Sequence, residues 1–582
     1  MAASKKGSQK STDLPTFAIF SDDKELSGSF NVVSIMVSKA VGRIPRARVV
    51  FKSGDPATGD FPLSSKKDEL LPGRKIRIEA GYHNENTTIF EGIIIRHRLE
   101  VKGTNNFYVV VECRDRAYSM TVGRKNRYFR DIKDSEAIEE LIGAHTLEAD
   151  VEPTDVTHRE LVQFNTTDWD FMLSRAEANG MVVVVDDGRA VVKKPDTSKD
   201  AALKLTFGNE IISLDAVIDA THQQATLKCA AWNQAEQTLL EAEAEQPQIE
   251  EAGNLPSTEL SGTVTDEEVE YRHTGWITAE ELQAWADARK TRAVLSKIRG
   301  VVRCKGVAEL KCADVVELSG LGERFNGKVF VSGIKHEVGN GRWEMDVEFG
   351  LSAEPFISEY EVNSRTMQEL LPHVEGLQIG VVTQIQDDPD GEYRVLVKMP
   401  VVDAEAEGTW ARVATLDAGK NRGAFFMPEI GDEVVLGFLN NDPRDAVILG
   451  MLNSSHKPAP LEPKDDNPEK GFVTREGLRL IFNDELKSIR IETPAGNVVQ
   501  LSEDEGAILI EDENGNRLEM NSSGVLIESG GNIELKASGT IKVEGQNVEG
   551  SASTGMKLNG GASAELSSSG ATKIKGSIVN IN

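Results

Sequence analysis

The chain has 582 residues, with 65 Lys and Arg against 94 Asp and Glu, a formal charge of −29. Such length exceeds one ordinary core, so several domains are expected, and the acidic balance excludes a general nucleic-acid binder, which needs clustered Lys and Arg for phosphate contacts. Aromatics make up 6% and glycines number 51, a mixture that favours β structure with many tight turns.

Met1–Pro15 is polar and Lys-bearing, so no signal peptide is expected, and residues 1–14 read as a disordered tail. No apolar run is long enough for a transmembrane helix. From Phe17 the pattern turns β-like, with apolar runs at Asn31–Val37, Ala47–Phe51, Lys75–Ala80, Thr88–Ile95 and Phe107–Cys113. Ser135, Ile138, Leu141 and Ile142 then show helical spacing behind an N-cap-type Asp134. A second helix is predicted from Thr167, with Trp169, Met172, Leu173 and Ala176 on one side and Gly180 closing it.

Residues 234–271 are rich in Glu, contain no Lys or Arg and have few large apolar side chains. They read as an exposed acidic loop, dispensable for assembly. Thr278–Ile298 is predicted as a helix opened by a capping box of Thr278 and Glu281. Strands continue through Phe349, and a connector around Glu354–Glu375 leads into a compact β segment, 376–455. A linker rich in Pro, Lys and Asp, 456–470, precedes the C-terminal region, 471–582.

After Phe482 there is no aromatic residue, and after Pro494 no proline. Short strands instead repeat an apolar pair at i and i+2. The pairs include Ile489/Ile491, Val499/Leu501, Ile508/Ile510, Leu518/Met520, Val525/Ile527, Ile533/Leu535, Ile541/Val543 and Met556/Leu558, fading into Thr572/Ile574 before Val579/Ile581. Alternation puts each pair on one face of its strand. Burying those groups gains roughly 1.5–3 kcal/mol per side chain, against about 1–2 kcal/mol of backbone entropy for every ordered residue. One copy is therefore not expected to fold alone, whereas several copies around an axis can bury the pairs and join open strand edges between chains. A single-chain solenoid needs coils of about 20 residues or more, larger than these faces allow.

Segment 376–455 carries the most specific motif: Asp390-Gly391 in a turn, Pro428-Glu429-Ile430-Gly431-Asp432-Glu433-Val434, then Asp442-Pro443 and Leu449-Gly450. It resembles the small OB-type barrel of the VgrG family, spikes of type VI secretion and related contractile systems, with Pro428, Glu429, Gly431, Asp432, Glu433, Asp442, Pro443 and Gly450 as the matching residues. The stretch Gln163–Phe171, followed by Arg175, Glu177 and Gly180, is similar to a helix of that family's hub, with Thr166-Thr167 where many members have Glu-Ser.

The resemblance implies a mainly β protein: phage-hub-like tube domains with a few helices over 15–365, the OB-type barrel, and an intertwined trimeric β-helix needle. The needle core would comprise Ile508, Ile510, Ile533, Leu535, Ile541, Val543, Met556, Leu558 and Ile574. It implies a homotrimer that adapts a hexameric inner tube and baseplate proteins to a membrane-puncturing needle. A PAAR-type tip protein or effector cargo would dock at Ile578, Val579, Asn580, Ile581 and Asn582. Such a chain would be made in the bacterial cytoplasm and assembled into a particle at the envelope or released outside. The hub-needle of a contractile phage tail shares this architecture, and a carbohydrate-binding or carbohydrate-degrading trimeric stalk is the rival of a different class.

No catalytic residue, metal or cofactor is expected. His336-Glu337 begins an HExxH, but position 340 is Asn, so His336 reads as a turn histidine. Asp387, Asp388 and Asp390 lack the closing Glu of a calcium loop. Gly320-Leu321-Gly322 reads as a strand turn, and no nucleophile elbow or P-loop is present. Cys113, Cys229, Cys304 and Cys312 match no zinc spacing and are expected as free thiols in a reducing compartment.

Overall fold

The computed structural model describes residues 14–264, 267–275, 277–359, 374–403, 405 and 407–581. All of the expected tail but Leu14 (residues 1–13), most of the connector (360–373) and Asn582 lie outside the described residues. The chain divides into two compact units, Met1–Val374 with Asn440–Asp442, and Glu375–Leu439 with Pro443–Asn582.

The first unit is built on a 13-stranded sheet. The runs predicted as strands appear as Val32–Ala40, Arg46–Lys52, Lys75–Tyr82, Glu85–Val101 and Phe107–Arg114. Together with Pro15–Ser21 they enclose one core, which includes Ile35, Val49, Phe51, Ile78, Phe90 and Val111. A second core, around Val302, Val316, Val331, Met345 and Val347, is enclosed by strands returning from Ile298 to Phe349. The two cores share the sheet because Gly327–Gly339 runs antiparallel to Val32–Ala40, with Ile334 opposite Lys39 and Val338 opposite Ile35. Alternating apolar residues commit each strand to one register, since a one-residue slip would turn the buried set outward.

Helices α1 (Asp134–Gly143) and α2 (Asp168–Ala178) share a third core with Met181, Val183 and Val192, and α3 (Ala279–Ser296) packs Leu282 and Ala286 against Leu227 and Cys229. The apolar faces predicted for α1 and α2 are buried. Thr167 caps α2 by accepting the Asp170 N–H at 3.0 Å, and Gly180 follows with φ +68°, a left-handed position that costs glycine little.

Four local expectations change. Asp134 is the first residue of α1 and not its cap, because its carboxylate turns inward to a buried arginine. Thr278 accepts the Glu281 N–H at 3.2 Å, but the Glu281 carboxylate points to Arg175 and not back to the helix start, so only half of the capping box forms. His336 lies within the strand Gly327–Gly339 and is buried, not in a turn.

The fourth change concerns the acidic segment, which is folded into the unit and is not a solvated excursion. Thr238–Glu243 pairs antiparallel with Leu227–Asn233, and Val269–His273 pairs with the same strand in parallel. Ala242, Ala252 and Ser257 are buried. Glu251 forms an ion pair with Lys297, whose side chain is 2% exposed. The Lys297 amine also donates to the carbonyls of Leu255 at 2.7 Å and Ala252 at 3.2 Å. The cations that balance this segment lie outside it in sequence.

The second unit begins with a closed barrel of five strands in the order Gln378–Gln384, Val395–Lys398, Thr409–Val413, Ala446–Met451 and Glu433–Phe438. Its interior is filled by Val382, Val395, Val397, Ala411, Val434, Leu436, Ala446 and Ile448, as the OB-type resemblance implies. Strands resume at Glu469 and continue to Glu528 as a seven-stranded antiparallel meander. The edges of those strands are joined within one chain, which differs from the pairing between chains expected for the whole region. Two-residue apolar pairs suffice here because each strand also satisfies its backbone through short turns to the next. From 529 to 581 the chain contains no strand.

Candidate assembly interface

The register of the meander brings the apolar pairs together. Phe472 stands opposite Leu480, Leu480 opposite Ile491, Ile491 opposite Val499, Val499 opposite Ile510, Ile510 opposite Leu518, and Leu518 opposite Ile527. A parallel row runs through Phe482, Ile489, Leu501, Ile508, Met520 and Val525. Directly opposed residues of an antiparallel sheet share a face, so both rows lie on one side. The other side carries Arg490, which donates to Gln500 at 2.6 Å, and Gln500 donates in turn to Glu505 at 2.9 Å.

The apolar side is the uncovered one. Ile489, Ile491, Leu501, Ile508, Ile510 and Met520 are each 38% to 49% exposed. An apolar strip of this length, rimmed by charges, marks a surface made for association. Completing its burial is worth on the order of 1 kcal/mol per half-exposed side chain. Sequence reading began these rows at Ile489. Phe472, Leu480 and Phe482 extend them, and their alternation was the available signal.

The remaining predicted needle residues, Ile533, Leu535, Ile541, Val543, Met556, Leu558 and Ile574, are exposed in the strand-free stretch, as are Ile578, Val579, Asn580 and Ile581 at its end.

The barrel motif forms a locked turn. The Glu429 N–H donates to the Asp432 carboxylate at 2.9 Å, and the Gly431 N–H donates to the Val382 carbonyl at 2.8 Å with Gly431 at φ +86°. Lys457, at the start of the linker, donates to the Gly431 carbonyl at 2.6 Å and pairs with Asp432 at 3.1 Å. Pro428 opens this turn, and Glu433 begins the strand after it. Asp442 falls in the first unit and Pro443 in the second, while Gly450 stands opposite Val435 next to a bulge. Asp388, in the loop once compared with a calcium site, is held by the Arg394 guanidinium at 2.6 Å. That hydrogen bond, with backbone N–H groups from Asp390, Glu392 and Arg394, keeps its pKa below the usual carboxylate range.

Buried charges of the first unit are matched among themselves. Asp134 accepts from Arg175 Nε at 2.5 Å and Asn179 at 2.8 Å, and it lies 2.9 Å from His158 Nε2. Glu281 on α3 stands 3.3 Å from Arg175 and 3.6 Å from His158. Burial alone would raise the Asp134 pKa, but the hydrogen bonds from His158 and Arg175 outweigh it and hold the group well below its ordinary value. Asp168, equally buried, is ringed by Gln163, Lys125, His145 and Arg127, and its pKa is likewise lowered against the pull of burial. Burial pushes the His336 pKa down to about 3, so the ring is neutral and accepts the Trp343 indole N–H at 3.3 Å. All four cysteines are free and buried, and burial lifts Cys304 and Cys312 to about 12. Among the described residues no cluster of His, Cys, Asp and Glu could hold a metal ion.

Comparison with known proteins gives three family matches. Residues 11–340 match the Alg8 N-terminal domain, residues 378–452 the type VI secretion system/phage-baseplate injector OB domain, and residues 488–549 the phage baseplate V C-terminal trimerisation domain. The type VI secretion system spike protein VgrG1a of Pseudomonas aeruginosa is 28% identical over 217 residues, 34% of this chain and 32% of the relative. VgrG1b of the same organism is 30% identical over 136 residues, 22% of this chain and 18% of the relative. The matched part thus spans less than a third of either relative. Among solved structures, the 43 kDa tail protein of prophage MuSo2 from Shewanella oneidensis aligns with a TM-score of 0.45 at 9% identity, covering 58% of this chain and 98% of that one.

Proposed function

Since this chain belongs to the VgrG family of spike proteins, and through residues 11–340 to the Alg8 N-terminal domain family, we propose that three copies associate through the two apolar rows to form the needle of a contractile injection machine. The observation that carries this reading is the coincidence of the uncovered rows with the segment matched to a trimerisation domain, residues 488–549. Three sheets placed with their apolar sides inward would bury both rows and leave the side that carries Arg490 and Glu519 facing outward. The strand-free residues 529–581 would then wrap around the same axis and gain strand partners from neighbouring copies.

In this reading the first unit is the hub. Its two β cores per chain give six in a trimer, which suits a hexameric inner tube set on a threefold needle. The barrel, with Lys457 fastened to its motif turn, leads into the needle. A PAAR-type tip protein or effector cargo is proposed to dock at Ile578–Asn582, and the narrow shaft concentrates the force of contraction on a target membrane. The function is mechanical and needs no catalytic residue.

Light scattering on the purified protein tests the central step. The expected mass is three times 63.5 kDa, and a stable, folded monomer would sink the proposal.

A further inference from the structure

The barrel extends a loop with a small hairpin, Ala418–Gly419 against Arg422–Gly423, fixed by Arg422 on the Asp417 carboxylate at 2.8 and 2.9 Å. Around it the loop carries apolar residues outward. Leu416 is 91% and Phe425 80% exposed, exposures unusual for side chains of this size in a loop that could have been polar. The loop is not free to swing. Phe426 stacks on Phe472 with ring centroids 5.2 Å apart and planes 16° from parallel. Arg475, in the first turn of the meander, pairs with Glu429 at 3.0 Å.

Phe472 heads one of the two apolar rows, opposite Leu480. The Phe426–Phe472 stack therefore joins the loop to the uncovered side of the meander, and the same loop carries the exposed Leu416 and Phe425. We infer that this loop is an arm that seats on a second copy of the chain, forming an apolar collar where barrel meets needle. The occupant is another copy because the stack seats the loop on the row that runs from Phe472 through Leu480 to Ile491, into the segment matched to a trimerisation domain. An arm pinned to its own sheet by a stack and an ion pair can reach only what lies against that sheet. The inference rests on the trimer proposed above and adds a second contact outside the needle itself.

Single cysteines at exposed positions separate the two ideas, because the native thiols are buried and silent towards maleimide in the folded protein. Leu416→Cys and Phe425→Cys would be compared with Glu513→Cys, in an exposed turn on the rim of the meander. Labelling rates would be measured on material whose mass is checked by light scattering. In the trimer, positions 416 and 425 should label at least tenfold more slowly than 513, and the difference should vanish once denaturant separates the chains. A trimer in which all three positions label alike overturns the arm and leaves the trimer standing. A monomeric parent protein overturns the trimer itself. Loss of the trimer in the arm variants, with Glu513→Cys still trimeric, would also support the collar.

Discussion

Asp134 shows how the first unit handles buried charge. Its carboxylate sits at the start of α1, yet it binds Arg175 of α2 and His158 of a strand, and Glu281 of α3 closes the same cluster. Removing one member of such a set strands the others in a poorly solvated site, at a cost of about 3–5 kcal/mol. Asp134→Asn should lower the melting temperature of the first unit accordingly at neutral pH. The pH dependence has a definite sign. The folded pKa of Asp134 lies below the unfolded value of about 3.9, so its stabilisation is complete above that value and is lost as pH falls towards the folded one. Melting temperature measured from pH 7 downward should therefore fall less steeply below about pH 5 in Asp134→Asn than in the parent. An equal slope in both would show that the carboxylate is not the group held ionised.

Residues 234–271 show what a composition window can and cannot read. The window contains no Lys or Arg, and solvation was the natural inference. Its counter-charges come from elsewhere in the chain: Lys297 for Glu251, Lys228 for Glu268 and Lys328 for Glu250. Helix faces such as Ile138, Leu141 and Ile142 were legible because their periodicity is local, and so was the barrel, whose turn chemistry is carried by Pro428–Asp432. A buried ion pair between distant residues leaves no local pattern. The segment contributes to the stability of the first unit: Glu251→Gln alone leaves the Lys297 amine without its anion, and about 3–5 kcal/mol should be lost. Lys297→Met with Glu251→Gln should recover part of that loss, because no buried charge remains. Denaturant unfolding of the two variants, compared with the parent, measures both changes.

Across the whole molecule, the sequence disclosed the apolar pairs and their common face but not how strand edges are closed. Pair spacing fixes which side a residue occupies, whereas the partner of each edge depends on turn geometry, which only folding within one chain supplies between Glu469 and Glu528. Face assignment is the testable part. Ile510→Asp places a carboxylate on the uncovered rows, three to a level in the proposed trimer, where desolvation and repulsion add. It should abolish the trimer by light scattering. Leu509→Asp, on the other side beside Gln500 and Glu519, should leave the trimer intact, and equal behaviour of the two would show the rows turned the wrong way.

The rows beyond Phe482 are built entirely from Ile, Leu, Val and Met, which leaves the meander past its second strand dark to near-ultraviolet light. Of the six tryptophans, Trp169, Trp232, Trp276, Trp285 and Trp343 precede the barrel and Trp410 lies in it. Indole fluorescence during heating therefore reports the first unit and the barrel, while amide circular dichroism reports every strand. Where the two curves part in temperature, the gap is the melting of the meander, and it can be followed in the native sequence without any label.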